Sequence, residues 1–237
     1  MKLEKKPNKT HIREIESWLI EEYNQTGMGF YHNWETIING LSKGQVFCLL
    51  ENNKAIGFIL WRGSEKVITI DIATIKIDKR GKGLGRQMIK LFYDSFKFSD
   101  YMVIDLQCSP ESSEKFWSSI GFKKYKIYSR QNTVKMFGLL SNTLKCTEQA
   151  FLASPSIELW DVEPFESDRV EPHWCWNVDM PTDSGKLFSA IIQPCNPDWR
   201  MRYVKSNGEI IDDKIKYFPN AEEILCEGFL IIENLPL

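Results

Sequence analysis

Ile75-Lys76-Ile77-Asp78-Lys79-Arg80-Gly81-Lys82-Gly83-Leu84-Gly85-Arg86 joins two unlike patterns. Before it runs a β-branched stretch, Val67 to Ile77. After it, Leu84, Met88, Leu91, Phe92 and Tyr93 recur at helical spacing. The segment therefore reads as strand, glycine-rich turn, helix. Glycines at every second position, 81, 83 and 85, remove Cβ atoms where a backbone folds tightly and approaches a ligand. The free amides of the new helix and its dipole favour an anion there. Arg80, Lys82 and Arg86 add positive charge, and a pyrophosphate is the natural occupant.

Spacing separates the phosphate-binding motifs. A nucleotide-triphosphate loop places Lys-Ser or Lys-Thr after its last glycine, whereas Arg86-Gln87 follows Gly85 here. A dinucleotide fingerprint needs G-x-G-x-x-G and an acidic residue about 20 positions on. This chain has G-x-G-x-G, and Asp105, at the right distance, falls inside the next strand-like run. A turn that only reverses the chain is the plain alternative.

The segment resembles the signature of the GNAT superfamily of acetyl-CoA-dependent N-acyltransferases. That signature is a strand, Arg or Gln, a Gly-x-Gly-x-Gly/Ala turn and a helix. Arg80 to Gly85 matches it throughout. A second family motif, a short helix ending in Gly-Phe, stands about 35 residues on. Glu111 to Phe122, with Phe116-Trp117 and Ile120-Gly121-Phe122, resembles it.

The resemblance covers about residues 1–140. It implies a mixed α/β sheet flanked by helices, whose strand before the glycine turn splays from Tyr101–Cys108. Acetyl-CoA is the implied co-substrate, without a metal. Its pantetheine arm would pair with backbone groups of Ile75 and Ile77. Arg80, Gly81, Lys82, Gly83, Leu84, Gly85 and Arg86 would hold the pyrophosphate. The implied reaction is direct attack by a primary amine in a ternary complex, with a strand amide stabilising the oxyanion.

By the same resemblance Asp71 is the candidate general base, sharing a strand face with Ile75 unless a bulge intervenes. The tyrosine that usually serves as acid is replaced by Trp117, whose indole donates hydrogen bonds but supplies no proton. Tyr125 and Tyr128 lie nearby in sequence, and no acid is assigned. The departure keeps a second class open: a catalytically inactive CoA-binding regulatory or interaction module.

Composition sets the surroundings. The chain has 237 residues and is 43% hydrophobic, enough for two packed domains. It contains no run of 18 apolar residues, so no membrane span is expected, and the opening Met1–Pro7 lacks a secretion signal. Six scattered cysteines, without a C-x-x-C pair, point to a reduced cytoplasmic setting. His173 and Cys175 do not read as a metal site. Residues 1–140 carry 22 basic against 15 acidic side chains, a balance of +7. Residues 141–237 carry 8 against 17, a balance of −9. The basic part suits an anionic co-substrate. The acidic part argues against a nucleic-acid partner.

Working outward, Thr10 can cap a helix with Ile12, Ile15, Trp18, Leu19 and Tyr23 inward, ended by Gly27 and Gly29. A shorter helix covers Asn33–Leu41, with Trp34, Ile37, Ile38 and Leu41 inward and Gly44 as its stop. Val46–Glu51, Asn52-Asn53 and Ala55–Arg62 form a hairpin pattern. A helix follows from Gly83 to about Lys97, then closing strands at Lys123–Tyr128 and Thr133–Leu140.

Residues 141–156 read as a linker, and 157–237 as a smaller, acidic, mostly antiparallel β domain of no recognised family. Its strongest cue is the Asn207-Gly208 turn between Trp199–Ser206 and Glu209–Phe218. Leu187–Gln193 and Glu227–Glu233 read as further strands. Trp160, Trp174, Trp176 and Trp199 read as core. The carboxylates Glu158, Asp161, Glu163, Glu166, Asp168 and Glu171 either draw in a cationic amine or form a solvated loop. This domain shapes an acceptor site, binds a partner protein or mediates a homodimer.

Overall fold

The computed structural model describes residues 1–125, 133–148, 155–178 and 186–235. The chain divides into two units, Met1–Ser141 and Asn142–Leu237.

The first unit runs β1 (Lys2–Glu4), α1 (Lys9–Thr26), α2 (Trp34–Ser42), β2 (Val46–Glu51), β3 (Lys54–Ser64), β4 (Val67–Ile75), α3 (Leu84–Phe96), β5 (Val103–Gln107), α4 (Glu114–Ser119), β6 (Lys123–Tyr125) and β7 (Lys135–Leu139). Its seven strands lie in the order β1-β2-β3-β4-β5-β7-β6. All neighbours are antiparallel except β4 and β5, which are parallel. The result is a mixed sheet flanked by helices.

Two apolar layers sandwich the sheet. On one face Met88, Ile89, Phe92 and Phe96 of α3 pack on Phe47, Ile59, Ile68, Ile70, Ile104 and Met136. On the other, Ile12, Ile15, Trp18 and Leu19 of α1, with Ile37 of α2, pack on Cys48, Phe58, Leu60 and Ile72.

Local differences from the sequence reading have local causes. Asn8, not Thr10, caps α1: its Oδ1 accepts from the amides of Thr10 (2.9 Å) and His11 (3.0 Å). Imidazole Nδ1 of His11 accepts the Asn8 amide in return (3.4 Å), closing a capping box. Ile38, expected inward, is exposed, because the buried face of α2 runs through Ile37 and Gly40 and Ile38 lies about 100° around the helix from Ile37. Strand β4 ends at Ile75, and Ile77 lies in a 3-10 turn over Ile77–Lys79. Tyr128 and the rest of residues 126–132 lie outside the described residues.

Glycine has a steric role at Gly57, opposite Ile75 in the β3–β4 register. A Cβ there would sit 2.6 Å from Ile75 Cδ1 and 2.9 Å from the Thr74 carbonyl oxygen. Gly57→Ala is therefore expected to destabilise by about 1–3 kcal/mol, the usual range for overpacking. The readout is a lower urea midpoint at unchanged slope.

The second unit runs β8 (Ser156–Leu159), β9 (Trp174–Asn177), β10 (Lys186–Pro194), β11 (Arg200–Val204), β12 (Ile210–Lys214), the short α5 (Ala221–Ile224), β13 (Leu225–Cys226) and β14 (Phe229–Asn234). They form a four-stranded sheet, β12-β11-β8-β9, and a three-stranded one, β10-β14-β13, antiparallel throughout. Ile157, Leu159, Trp176, Ile191, Met201 and Leu230 belong to its core. Trp160 and Trp199 are buried too, and Trp174 stacks on Trp199 at 5.7 Å. The hairpin between β11 and β12 turns at Asn207-Gly208, where Gly208 has φ +84°.

Within the stretch read as a linker, Leu144 donates its amide to the Ala190 carbonyl (2.8 Å) and Thr147 to that of Cys175 (2.7 Å). Residues 149–154 lie outside the described residues. Several of the unit's carboxylates are engaged by cations. Glu158, 8% exposed, pairs with Arg202 across the strands. Glu163 pairs with Lys214, and Asp161 faces His173 at 3.6 Å. These pairs leave less free negative charge than the sequence suggests. The Asp168 side chain lies outside the described residues.

All six cysteines are free thiols. Burial pushes Cys48 and Cys195 up to about 12, which suits packing rather than reactivity. Among the described residues, no group of three or more His, Cys, Asp or Glu could hold a metal ion. No described helix is long and apolar enough to cross a membrane.

Candidate active site

The site begins as a fork between two parallel strands. Val67–Ile70 of β4 pair with Val103–Leu106 of β5, and the pairing stops there. Beyond the fork β4 continues on β3 as far as Ile75, while β5 continues on β7. Among the described residues, the β5-facing edge of Asp71–Ile75 therefore has no strand partner. Backbone donors and acceptors left open in this way call for a ligand or water.

A register shift marks the fork. Leu60 pairs with Ile72 but Trp61 with Ile70, so Asp71 is the extra residue of a bulge. The bulge reverses the alternation of faces. Ile68 and Ile70 belong to the α3 side, Ile72 to the α1/α2 side, and Ile75 to the α3 side again. Asp71 and Ile75, four apart, are not held on one face by alternation. The Asp71 carboxylate instead accepts from Arg62 Nε at 3.2 Å and is over a third exposed.

At the open end of the fork stands the glycine turn. Gly81 and Gly83 both have positive φ, +75° and +76°. Among the described residues, nothing beyond the chain neighbours comes within 4 Å of a Cβ built at either position. The surrounding protein thus leaves space that a ligand can fill. Gly83 is the N-cap of α3 and offers no side-chain cap, so the first-turn amides face outward.

A cavity of about 760 Å³ joins fork and turn. Of the residues expected to hold a co-substrate, Ile75, Arg80, Gly81, Gly83, Leu84, Gly85 and Arg86 line it, with Ala73 and Thr74. Ile77 and Lys82 are not among its lining residues. Ile77 accepts the Arg80 amide within the turn (3.3 Å), and Lys82 Nζ donates to the Asp78 carbonyl (3.1 Å). Sequence reading missed Glu22, Met28, Gly29 and Phe30, brought in from α1 and its following loop, and Ser113 and Phe116 at α4. Nothing local to residues 22–30 signals a site, whereas Ser113 and Phe116 fall within the Glu111–Phe122 motif, which by itself does not say which of its side chains line a cavity.

Arg80 is held by the protein. Its Nε donates to the Ile75 carbonyl (2.7 Å), and its terminal nitrogen to Glu22 (2.8 Å) and Thr74 Oγ1 (3.2 Å). Glu22 is 5% exposed. The guanidinium thus links the turn, the splayed strand and α1. Arg86 donates to the Ser119 carbonyl (3.0 Å) and hydroxyl (3.2 Å), bracing the turn against α4. Trp117 is core: it is buried, in edge contact with Phe116 (5.1 Å) and Phe122 (4.9 Å), and absent from the cavity lining.

The donor set suits a CoA thioester. The turn supplies amides and positive charge for phosphates, and the strand edge supplies groups for an amide-bearing arm. The buried Ser113 hydroxyl lines the cavity beside the Cys108 thiol and meets no other partner among the described residues.

No protein-family model and no curated protein sequence matches the chain. Solved structures are similar to its first part. An acetyltransferase of the GNAT family from Staphylococcus aureus Mu50 covers 59% of this chain and 98% of its own, at 15% identity and a TM-score of 0.48. PaiA N-acetyltransferase from Thermoplasma acidophilum, solved with coenzyme A, covers 59% and 99%, at 14% identity and 0.48. The ribosomal-protein-S18-alanine N-acetyltransferase from Escherichia coli covers 64% and 99%, at 15% identity and 0.48. The likeness is one of fold.

Proposed function

We propose that the first unit is an N-acyltransferase that moves an acetyl group from acetyl-CoA to a primary amine by direct attack in a ternary complex. One observation carries this reading: the unpaired edge of β4 and the glycine turn before α3 open onto a single cavity. Either feature alone is common, whereas together they offer both halves of a CoA molecule a partner.

Bound there, acetyl-CoA supplies an activated acetyl group. The amides at the start of α3, with Arg86 beside them, hold the pyrophosphate. Backbone groups of Ala73 to Ile75 hold the arm, and a β4 amide meets the charge that develops on the carbonyl oxygen. Arg80, itself on the cavity wall, tethers the turn through Glu22 and Thr74. The remaining parts of the proposal are a two-domain chain with a linker between, and a cytoplasmic setting that the six free thiols support.

Burial of Trp117 where the family places a tyrosine favours a second reading, a CoA-binding module without catalysis. Calorimetric titration with acetyl-CoA, followed by an assay of thiol release with primary amines, separates the two. Micromolar binding with thiol release supports the enzyme. Binding without release by any amine supports the module, and no binding refutes both.

A further inference from the structure

We propose that Asp105, with Tyr125 beside it, is the group that takes the proton of the acceptor's ammonium. This rests on the acetyl-transfer reading above. Asp105 stands opposite Thr69 in the β4–β5 register, one position before the fork. Its neighbours Ile104 and Leu106 point into the α3-side core, so Asp105 projects from the opposite face. Arg62, partner of Thr69 on β3, and Lys135 on β7 supply positive charge around it.

The two carboxylate oxygens of Asp105 differ. Oδ2 accepts from the Tyr125 hydroxyl at 3.4 Å. The Thr69 side chain also hydrogen-bonds the carboxylate, while Oδ1 is buried and meets no donor in good hydrogen-bond geometry among the described residues. Leaving such an atom unmade costs about 1–3 kcal/mol or more. Native proteins keep these groups where something else completes them. A carboxylate only accepts, so the missing partner is a donor, and a substrate ammonium is a donor that also carries the complementary charge.

Burial raises the proton affinity of Asp105, against the pull of Thr69, Lys135, Tyr125 and Arg62. That direction suits a group receiving a proton near neutral pH. Burial likewise raises Tyr125, which stays protonated and keeps donating. Asp71, in contrast, is partly exposed and already paired with Arg62.

In the step proposed, the ammonium gives one proton to Asp105. The freed nitrogen bonds to the acetyl carbonyl carbon, and the carbon–sulfur bond breaks with its electron pair going to sulfur. The second nitrogen proton ends on the thiolate, and Asp105 returns its own to water.

The test uses the full chain, acetyl-CoA and two probe amines at neutral pH: ethylamine, an ammonium there, and hydroxylamine, already neutral. Asp105→Asn is expected to slow thiol release with ethylamine by about 10²-fold or more, and with hydroxylamine by less than about threefold. Raising the pH should restore part of the ethylamine rate. Equal losses with both amines would overturn the proposal, because a structural role does not distinguish them. An ethylamine-selective loss in Asp71→Asn rather than Asp105→Asn would overturn it too.

Should Asp105→Asn fail to fold, carbon-13 resonances of the carboxylates in the unaltered protein give a second readout. The Asp105 signal should titrate above the ordinary carboxylate range and shift on adding ethylammonium; a signal indifferent to the amine overturns the proposal. A protein that binds acetyl-CoA but releases thiol with neither amine overturns it while leaving the CoA site standing. Failure to bind acetyl-CoA defeats the reading beneath it.

Discussion

Gly83→Asp is expected to weaken acetyl-CoA binding at least 100-fold in a calorimetric titration while leaving the protein folded. Gly83 is the N-cap of α3, and among the described residues nothing beyond its own chain neighbours lies within 4 Å of a Cβ built there. Folding therefore meets no clash. The φ of +76° is a cost, and one that aspartate tolerates better than most residues. Aspartate is also among the best N-caps, worth about 1 kcal/mol over residues that do not cap. The two effects oppose each other, so the melting temperature should change by no more than about 3 °C.

Affinity has no such compensation. The new carboxylate occupies the outward amides and adds a negative charge where a phosphate would sit. Two unit charges about 4 Å apart repel by about 4 kcal/mol at an effective dielectric constant near 20. Screening can remove about a third of this and still leave about the 2.7 kcal/mol that a 100-fold loss requires. A variant that folds and binds acetyl-CoA as tightly as the unaltered protein would show that the glycine turn is not the phosphate site.

Arg80→Ala is expected to lower both stability and acetyl-CoA affinity, and a second substitution should separate the two. Removing Arg80 strands the buried Glu22 carboxylate without its cation. Breaking a fully buried pair in this way costs about 3–5 kcal/mol. Arg80 itself is 44% exposed, so its charge is partly screened and about 2 kcal/mol is the expected loss. At this chain length that corresponds to a melting point lower by about 4–8 °C.

In the double variant Glu22→Gln/Arg80→Gln no buried charge remains. Most of the melting temperature should return, while affinity stays about tenfold or more below that of the unaltered protein, since the turn has lost its tether. The alternative is that Arg80 touches the pyrophosphate directly. In that case Arg80→Ala would cut affinity and leave the melting temperature unchanged. The hydrogen bonds from Arg80 to Ile75, Thr74 and Glu22 speak for the tether.

How much was legible beforehand depended on the range of each interaction. The β2–β3 hairpin with its Asn52-Asn53 turn, the end of α1 at Gly27 and the strand–turn–helix over residues 67–96 are written in nearest neighbours: β-branching, helical period and glycines at positive φ. The glycine signature also placed the phosphate end of the cavity lining, Arg80, Gly81 and Gly83 to Arg86. The cap at Asn8 was misread by two residues, because a capping box depends on which backbone amides the side chain meets.

Other features needed the folded chain. A bulge adds one residue on one side of a strand pair, and only the partner's register reveals it, so the face of Asp71 could not be read from alternation. The ion pair of Arg80 with Glu22 spans 58 residues and leaves no periodic trace in either segment. The same holds for Asp105, which looks like any polar position in a strand until Tyr125 and the fork surround it. Local spacing in the sequence was enough to locate the phosphate turn, because glycine geometry and helix periodicity act within a few residues. Which charges face each other, and which oxygen is left without a partner, was decided by tertiary packing, since burial and electrostatics depend on neighbours in space rather than along the chain.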